Sequence, residues 1–288
     1  MADRTESIAP DYFSHIHIIL VEPKVPGNIG AVARAMTTMG LSRLVLVNPA
    51  EFRHEAEARW MAHGAGEILD NARVVPALDE AVNDLALVVG TTNRTREIWL
   101  SPIQPIEAAC TELSAVAREQ PCGILFGRED RGLLNDELQR CNVIARIPAA
   151  TSYPSLNLAQ SVMVCAYELF RQNVDGGEAP PPSDVRLAEH RAVERVTRRV
   201  HETLLRLGFE STPNEETFLR SIRRVLRRSL RLEQRDVAVL HKVCDEIDAY
   251  VDRRSASPGQ AESSDPPGPL GQSGPPGQSG PQIPNSEG

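Results

Sequence analysis

Aromatic residues make up only 4% of this 288-residue chain, so aliphatic side chains must fill most of any core. No apolar run approaches the ~18 residues of a membrane-spanning helix, so no membrane partner is expected. The N-terminal stretch carries Asp3, Glu6 and Asp11 and lacks a basic segment leading into an apolar one, so no signal peptide is expected. The five cysteines, Cys110, Cys122, Cys141, Cys165 and Cys244, are odd in number and form no CxxC pair. That scatter argues against a disulfide framework and a structural zinc site, and for a reducing cytoplasm. His15 and His17 share a strand face but have no third ligand nearby in the sequence, so no metal is expected. GxSxG and Cys–His nucleophile signatures are also missing.

What is present is ordinary for a globular protein: 41% hydrophobic and 24% charged residues in 31.6 kDa. That size allows one large domain or two moderate ones. The net charge of -8 is unevenly spread: -8 over residues 1–183, +3 over 184–254 and -3 over 255–288. The last segment has 8 Pro, 7 Gly and a near repeat, GPLGQS then GPPGQS. Such a composition buries too little surface to offset chain entropy, so a disordered tail is expected. GGEAPPP at 176–182 reads as a stiff connector. The expected organisation is a flexible 1–13, an α/β domain over 14–174, a linker over 175–183, a helical unit over 184–254 and the tail.

Between residue 15 and the linker, short aliphatic runs alternate with helical patterns. Strands are expected at 15–23, 43–49, 73–75, 85–92, 123–127 and 143–148. Helices are expected at 29–39, 55–68, 79–84, 105–119, 135–140 and 155–173. This alternation implies a parallel sheet covered on both faces. Residues 184–254 are helical throughout. Within 218–232, Leu219, Ile222, Leu226 and Leu230 recur at helical spacing, with Arg220, Arg223, Arg224, Arg227, Arg228 and Arg231 between them. Seven arginines stand against one acid in 220–235. This excess points to phosphate contact, with an interhelix salt-bridge surface as the alternative.

Ligands of open parallel sheets bind beyond the carboxyl ends of the strands, so the loops there carry the functional reading. The first, PGNIGAVAR at 26–34, is not GxGxxG. The second strand ends Val47-Asn48-Pro49, without the acid that a dinucleotide ribose requires. Three further loops follow apolar strands: GTTN at 90–93, GREDRGL at 127–133 and the Pro-rich IPAATSYPSLNL at 147–158. Ser155 or Asn157 suffices as a helix cap, but a cap does not account for both. Together the loops describe a small-molecule pocket lined by backbone groups and hydroxyls.

PGNIGAVAR, FGREDRGL at 126–133 and YPSLNLAQSV at 153–162 resemble, in order and spacing, the three motifs of the SPOUT superfamily of RNA 2'-O-methyltransferases. The resemblance is nearest to the bacterial TrmJ-type branch, which methylates the ribose of tRNA nucleotide 32. It covers residues 14–251, including HETLLRLGF at 201–209. It implies a trefoil-knotted α/β fold in which the helix from Ser155 threads a preceding loop. It also implies a homodimer, a tRNA substrate and S-adenosylmethionine as cofactor. Cofactor contacts are implied at Thr91, Thr92, Asn93, Gly127, Ile147, Ser155, Leu156 and Asn157. Arg34 stands at the family's catalytic position, Asn28 and Glu129 hold the geometry, and Ser155 lies beside the reacting centre. The arginine helix is implied to face tRNA.

The chemistry fits these residue types. A methyl on a sulfonium is already electrophilic, so alignment with the ribose oxygen is the main task. Arginine is almost never deprotonated in proteins, so a phosphate-orienting and alkoxide-stabilising role suits Arg34 better than that of a base. Competing readings are the same chemistry at another tRNA position or on ribosomal RNA, and a non-catalytic RNA-binding protein. A nicotinamide oxidoreductase is disfavoured by the missing acid after the second strand.

Overall fold

The computed structural model describes residues 8–94, 103–151, 155–174, 185–209 and 214–256. Seven parallel strands form one sheet in the order β3-β2-β1-β6-β4-β7-β5. They are β1 (Ile16–Val21), β2 (Arg43–Val47), β3 (Arg73–Val75), β4 (Leu87–Thr91), β5 (Gln104–Pro105), β6 (Cys122–Phe126) and β7 (Val143–Arg146). The interleaved helices are α1 (Pro26–Thr38), α2 (Ala56–Ala62), α3 (Gly66–Asp70), α4 (Leu78–Val82), α5 (Ile106–Ala117), α6 (Asn135–Leu138) and α7 (Leu158–Val174).

The strands are apolar at nearly every position because both faces are covered. Along β1, Ile16, Ile18 and Leu20 enter a core that also holds Ile29, Leu113 and Val162 from α1, α5 and α7. Ile19 and Val21 point the other way, toward Val82, Leu133 and Leu138. This is the two-residue period of a strand buried on both sides.

Several boundaries differ from the sequence expectation. Proline opens α1, where a missing N–H costs nothing. The helix expected over 55–68 breaks into α2 and α3 at His63 and Gly64, both with positive φ. The edge strand β5 is two residues long and contains a proline, so it has no alternation to read. The segment 1–13 is packed at its end: Tyr12 and Phe13 are buried, in or beside a 3-10 turn over Asp11–His15. The linker over 175–183 lies outside the described residues, as does the tail from 257 onward.

The C-terminal part comprises α8 (His190–Arg206), α9 (Glu215–Arg224), a π-helical turn over Val225–Ser229 and α10 (Gln234–Ala256). Ile222 and Leu226 of the expected apolar stripe pack with Val193, Val196 and Val237, whereas Leu230 is exposed. This unit sits against the amino ends of the central strands. Gln120, just before β6, exchanges two 2.9 Å hydrogen bonds with the backbone of Leu187. The His190 and Arg191 amides donate to the Leu85 and Asn83 carbonyls, just before β4. Among the described residues no helix is long and apolar enough to cross a membrane.

Candidate active site

At the opposite, carboxyl edge, a cavity of about 760 Å³ opens between the loops that follow β4, β6 and β7. Small-molecule sites commonly measure about 300–1,000 Å³. The loop after β6 is shaped by its glycines. A Cβ on Gly127 would meet the Gly132 carbonyl carbon at 2.0 Å, and Gly132 itself has φ +67°. Its amide closes the loop onto the Arg128 carbonyl at 2.8 Å.

Glu129 leaves this loop and caps the start of α1. Its carboxylate accepts from the amides of Lys24 at 3.1 Å and Val25 at 3.2 Å, and from Asn28 Nδ2 at 3.0 Å. Asn28 Oδ1 in turn accepts from Asn157 Nδ2 at 2.9 Å. Asn157 Oδ1 accepts from the Ala159 amide at 2.8 Å and so starts α7. One chain of hydrogen bonds therefore joins residues 28, 129 and 157. Burial works to raise the pKa of Glu129, but the bonds from Asn28, Lys24 and Val25 outweigh it and the net shift is downward. Glu129 is an ionised, fully engaged anchor and a weak proton acceptor.

Residues 15–167 match the SpoU rRNA Methylase family. The tRNA (cytidine/uridine-2'-O-)-methyltransferase TrmJ of Pectobacterium atrosepticum is 38% identical over 238 residues, covering 81% of this chain and 96% of that protein. The Salmonella typhimurium protein of the same name is 36% identical, with the same coverage. Among solved structures, TrmJ from Z. mobilis ZM4 superposes with a TM-score of 0.69 at 32% identity, over 81% of this chain and 98% of that one. A probable methylase family protein from Haemophilus influenzae Rd KW20 has a TM-score of 0.53 at 31% identity, over 84% and 99%. The chain belongs to the SpoU methylase family, in its TrmJ branch.

For a TrmJ-type methyltransferase the placement of the expected residues is informative. Thr91, Thr92, Asn93, Gly127, Ile147, Ser155 and Leu156 all line the cavity, with Glu129. Asn157 does not line it, because its amide is spent on Asn28 and on the cap of α7. Arg34 does not line it either. It is exposed on α1, six residues beyond Asn28 and so about a third of a turn away in azimuth. The threading expected of the helix from Ser155 involves residues 152–154, which lie outside the described residues.

The arginine helix is not the free cationic face that the sequence suggested. Arg223 pairs with Glu194 at 2.6 Å. Arg227 is 1% exposed and reaches Glu194, His190 and the Arg140 carbonyl. Arg228 donates to the carbonyls of Cys141 and Leu138. Arg231 pairs with Glu112, and Arg220 with Glu216 and Asp136. Arg224 alone of the six is exposed with no side-chain partner among the described residues. Apart from Glu216, which lies just outside the counted window, the acids that pair with this helix are distant in sequence, so a local charge count missed them.

Sequence reasoning also missed Arg128, Glu22 and Glu137. Arg128 is 5% exposed and its guanidinium is shared between the two carboxylates. Four consecutive charged residues beside a strand end were the available signal. Among the described residues no group of three or more His, Cys, Asp or Glu side chains is placed to hold a metal.

Proposed function

We propose that the protein transfers the methyl group of S-adenosylmethionine to the ribose 2'-hydroxyl of nucleotide 32, cytidine or uridine, in the tRNA anticodon loop. The observation that carries this reading is the convergence of three separated loops on one cavity, laced by Asn157, Asn28 and Glu129. The names of the TrmJ relatives support the substrate class and the 2'-hydroxyl. The cavity fits the cofactor in size and in the chemistry of its lining residues, among them Gly127, Ile147 and the polar Thr92, Asn93 and Ser155. When bound, S-adenosylmethionine supplies an electrophilic methyl on a sulfonium.

The chain's own residues hold and align. Glu129 fixes the start of α1 against the loop after β6 and leaves proton removal to another group or to water. Ser155 lines the cavity. Arg34 does not line the cavity of its own subunit, and in this reading it serves a second subunit's site in a homodimer. There it orients an RNA phosphate and stabilises charge developing on the ribose oxygen. A loop nucleotide is accessible because it is already unpaired. Residues 14–174 form the catalytic unit and 184–254 the helical extension. The five cysteines are buried free thiols, in keeping with a cytoplasmic protein.

The test is methylation of unmodified tRNA transcripts with S-adenosylmethionine, mapped by nuclease digestion and mass spectrometry. Methylation confined to nucleotide 32 and lost in Arg34→Ala is expected. Methylation at another position, or only of ribosomal RNA, overturns the substrate. A full-rate Arg34→Ala enzyme overturns the role of Arg34.

A further inference from the structure

The loop after β6 sends two successive side chains in different directions, and the proposed function uses only one. Glu129 turns to the start of α1. Arg128 turns to Glu22, at the end of β1, and to Glu137 on α6. Its Nε donates to Glu22 Oε2 at 2.8 Å and its Nη1 to Glu137 Oε2 at 3.1 Å. Nη2 lies 2.7 Å from Glu22 Oε1 and 3.0 Å from Glu137 Oε1. Glu137 Oε2 also accepts from the Leu134 amide at 2.6 Å, which fixes the far end of the same loop. Glu22 holds φ +46°, an unusual conformation for a residue with a long side chain. It persists where the surroundings over-determine it.

An arginine this buried needs pairing, but one carboxylate would have sufficed. A planar fork shared by two carboxylates fixes position as well as charge. The cavity wall runs from Gly127 to Leu133, and Arg128 is the member of it tied to both neighbouring elements. Resting on the methyltransferase reading, we propose that Arg128 is a positioning residue. Clamped by Glu22 and Glu137, it holds the loop after β6 in the form that binds the cofactor and keeps Glu129 on α1.

The experiment titrates S-adenosylhomocysteine into the parent protein, Arg128→Lys, Glu22→Gln and Glu137→Gln. It also measures tRNA affinity, kcat, KM and melting temperature. Lysine keeps the charge but loses the fork. Arg128→Lys should bind S-adenosylhomocysteine about 10-fold to 100-fold more weakly, the scale of a lost charged hydrogen bond. Its kcat should fall while tRNA affinity stays at the parent value. Each Glu→Gln variant should lose about 3-fold to 10-fold, because one arm of the clamp remains. Lower melting temperatures with parental S-adenosylhomocysteine affinity would make Arg128 purely structural and overturn the inference. If Arg128→Lys does not fold, Glu22→Gln decides, and affinity within about twofold of the parent overturns it. A parent that binds no S-adenosylhomocysteine removes the functional reading as well, whereas equal binding by parent and variants removes only this inference.

Discussion

At the carboxyl edge of the sheet, charged and polar loops surround an open cavity. At the amino edge, a comparably charged set of arginines is consumed by carbonyls and carboxylates of the same chain. Gly127, Ser155 and Asn93 keep hydrogen-bonding groups at the border of a space. Arg227 and Arg228 are buried between the helical unit and the sheet, and their partners are Glu194, His190 and three backbone carbonyls. Charge density in a sequence therefore does not separate a ligand surface from a structural one. What separates them is whether the charges are already paired. The edges also have a physical connection: α6 gives Glu137 to Arg128 on one side and the Leu138 carbonyl to Arg228 on the other.

The comparison breaks most visibly at Arg227. Arg227→Ala removes a buried cation and leaves Glu194 and His190 with lost partners, which should cost about 3–5 kcal/mol of stability. Urea denaturation measures the loss. S-adenosylhomocysteine affinity, taken where the variant is still folded, should match the parent. A stable variant with weakened cofactor binding would put Arg227 in the wrong region of the molecule.

Acid should expose the same buried edge. Burial, then the neighbouring Arg227, depresses the pKa of His190 to about 2. Burial, then Arg43, takes His17 to about 4 from an ordinary 6.5. Below pH 6.5 the unfolded chain binds protons that these folded-state histidines refuse. Stability is thus complete above that pH and falls as the pH drops, by about 1.4 kcal/mol per pH unit for each histidine. Urea midpoints between pH 7.5 and 5 measure the slope, and His17→Asn should roughly halve it. A flat profile would contradict the buried neutral state of both rings.

A smaller effect sharpens the carboxyl edge. Asn157 combines a cap of α7 with a hydrogen bond to Asn28, so Asn157→Ala should cost about 1 kcal/mol of stability from the cap. Activity should fall further than cofactor affinity, because Asn157 holds Asn28 and does not line the cavity. Equal loss of both would place it in the cofactor pocket instead.

The sheet was legible because strands buried on both faces are nearly continuous aliphatic runs with no helical period. β5 was not, since two residues with a proline carry no period, and the break at His63 lies inside an otherwise helical pattern. Seven of the eight expected cofactor positions border the cavity because loops after parallel strands must gather at one edge. Asn157 is the exception, since its side chain is engaged with Asn28 and the cap of α7 one position beyond the lining residue Leu156. The pairing of the arginine helix was illegible for a different reason, since Glu194 and Glu112 neutralise it from 29 and 119 residues away. Local composition carries no information about such pairs.

Arg224 is where the two readings of the arginine helix can still be separated. It is exposed, and no side-chain partner holds it among the described residues. Arg224→Ala should therefore change stability by no more than about 0.5 kcal/mol. If this side chain meets a tRNA phosphate, its removal weakens binding modestly and reduces the slope of log affinity against log salt by about one. Cofactor affinity stays unchanged in either case. An unchanged salt slope would mean that Arg224 meets no RNA phosphate. A reduced slope would leave one cation of the helix for the substrate and the rest for the fold.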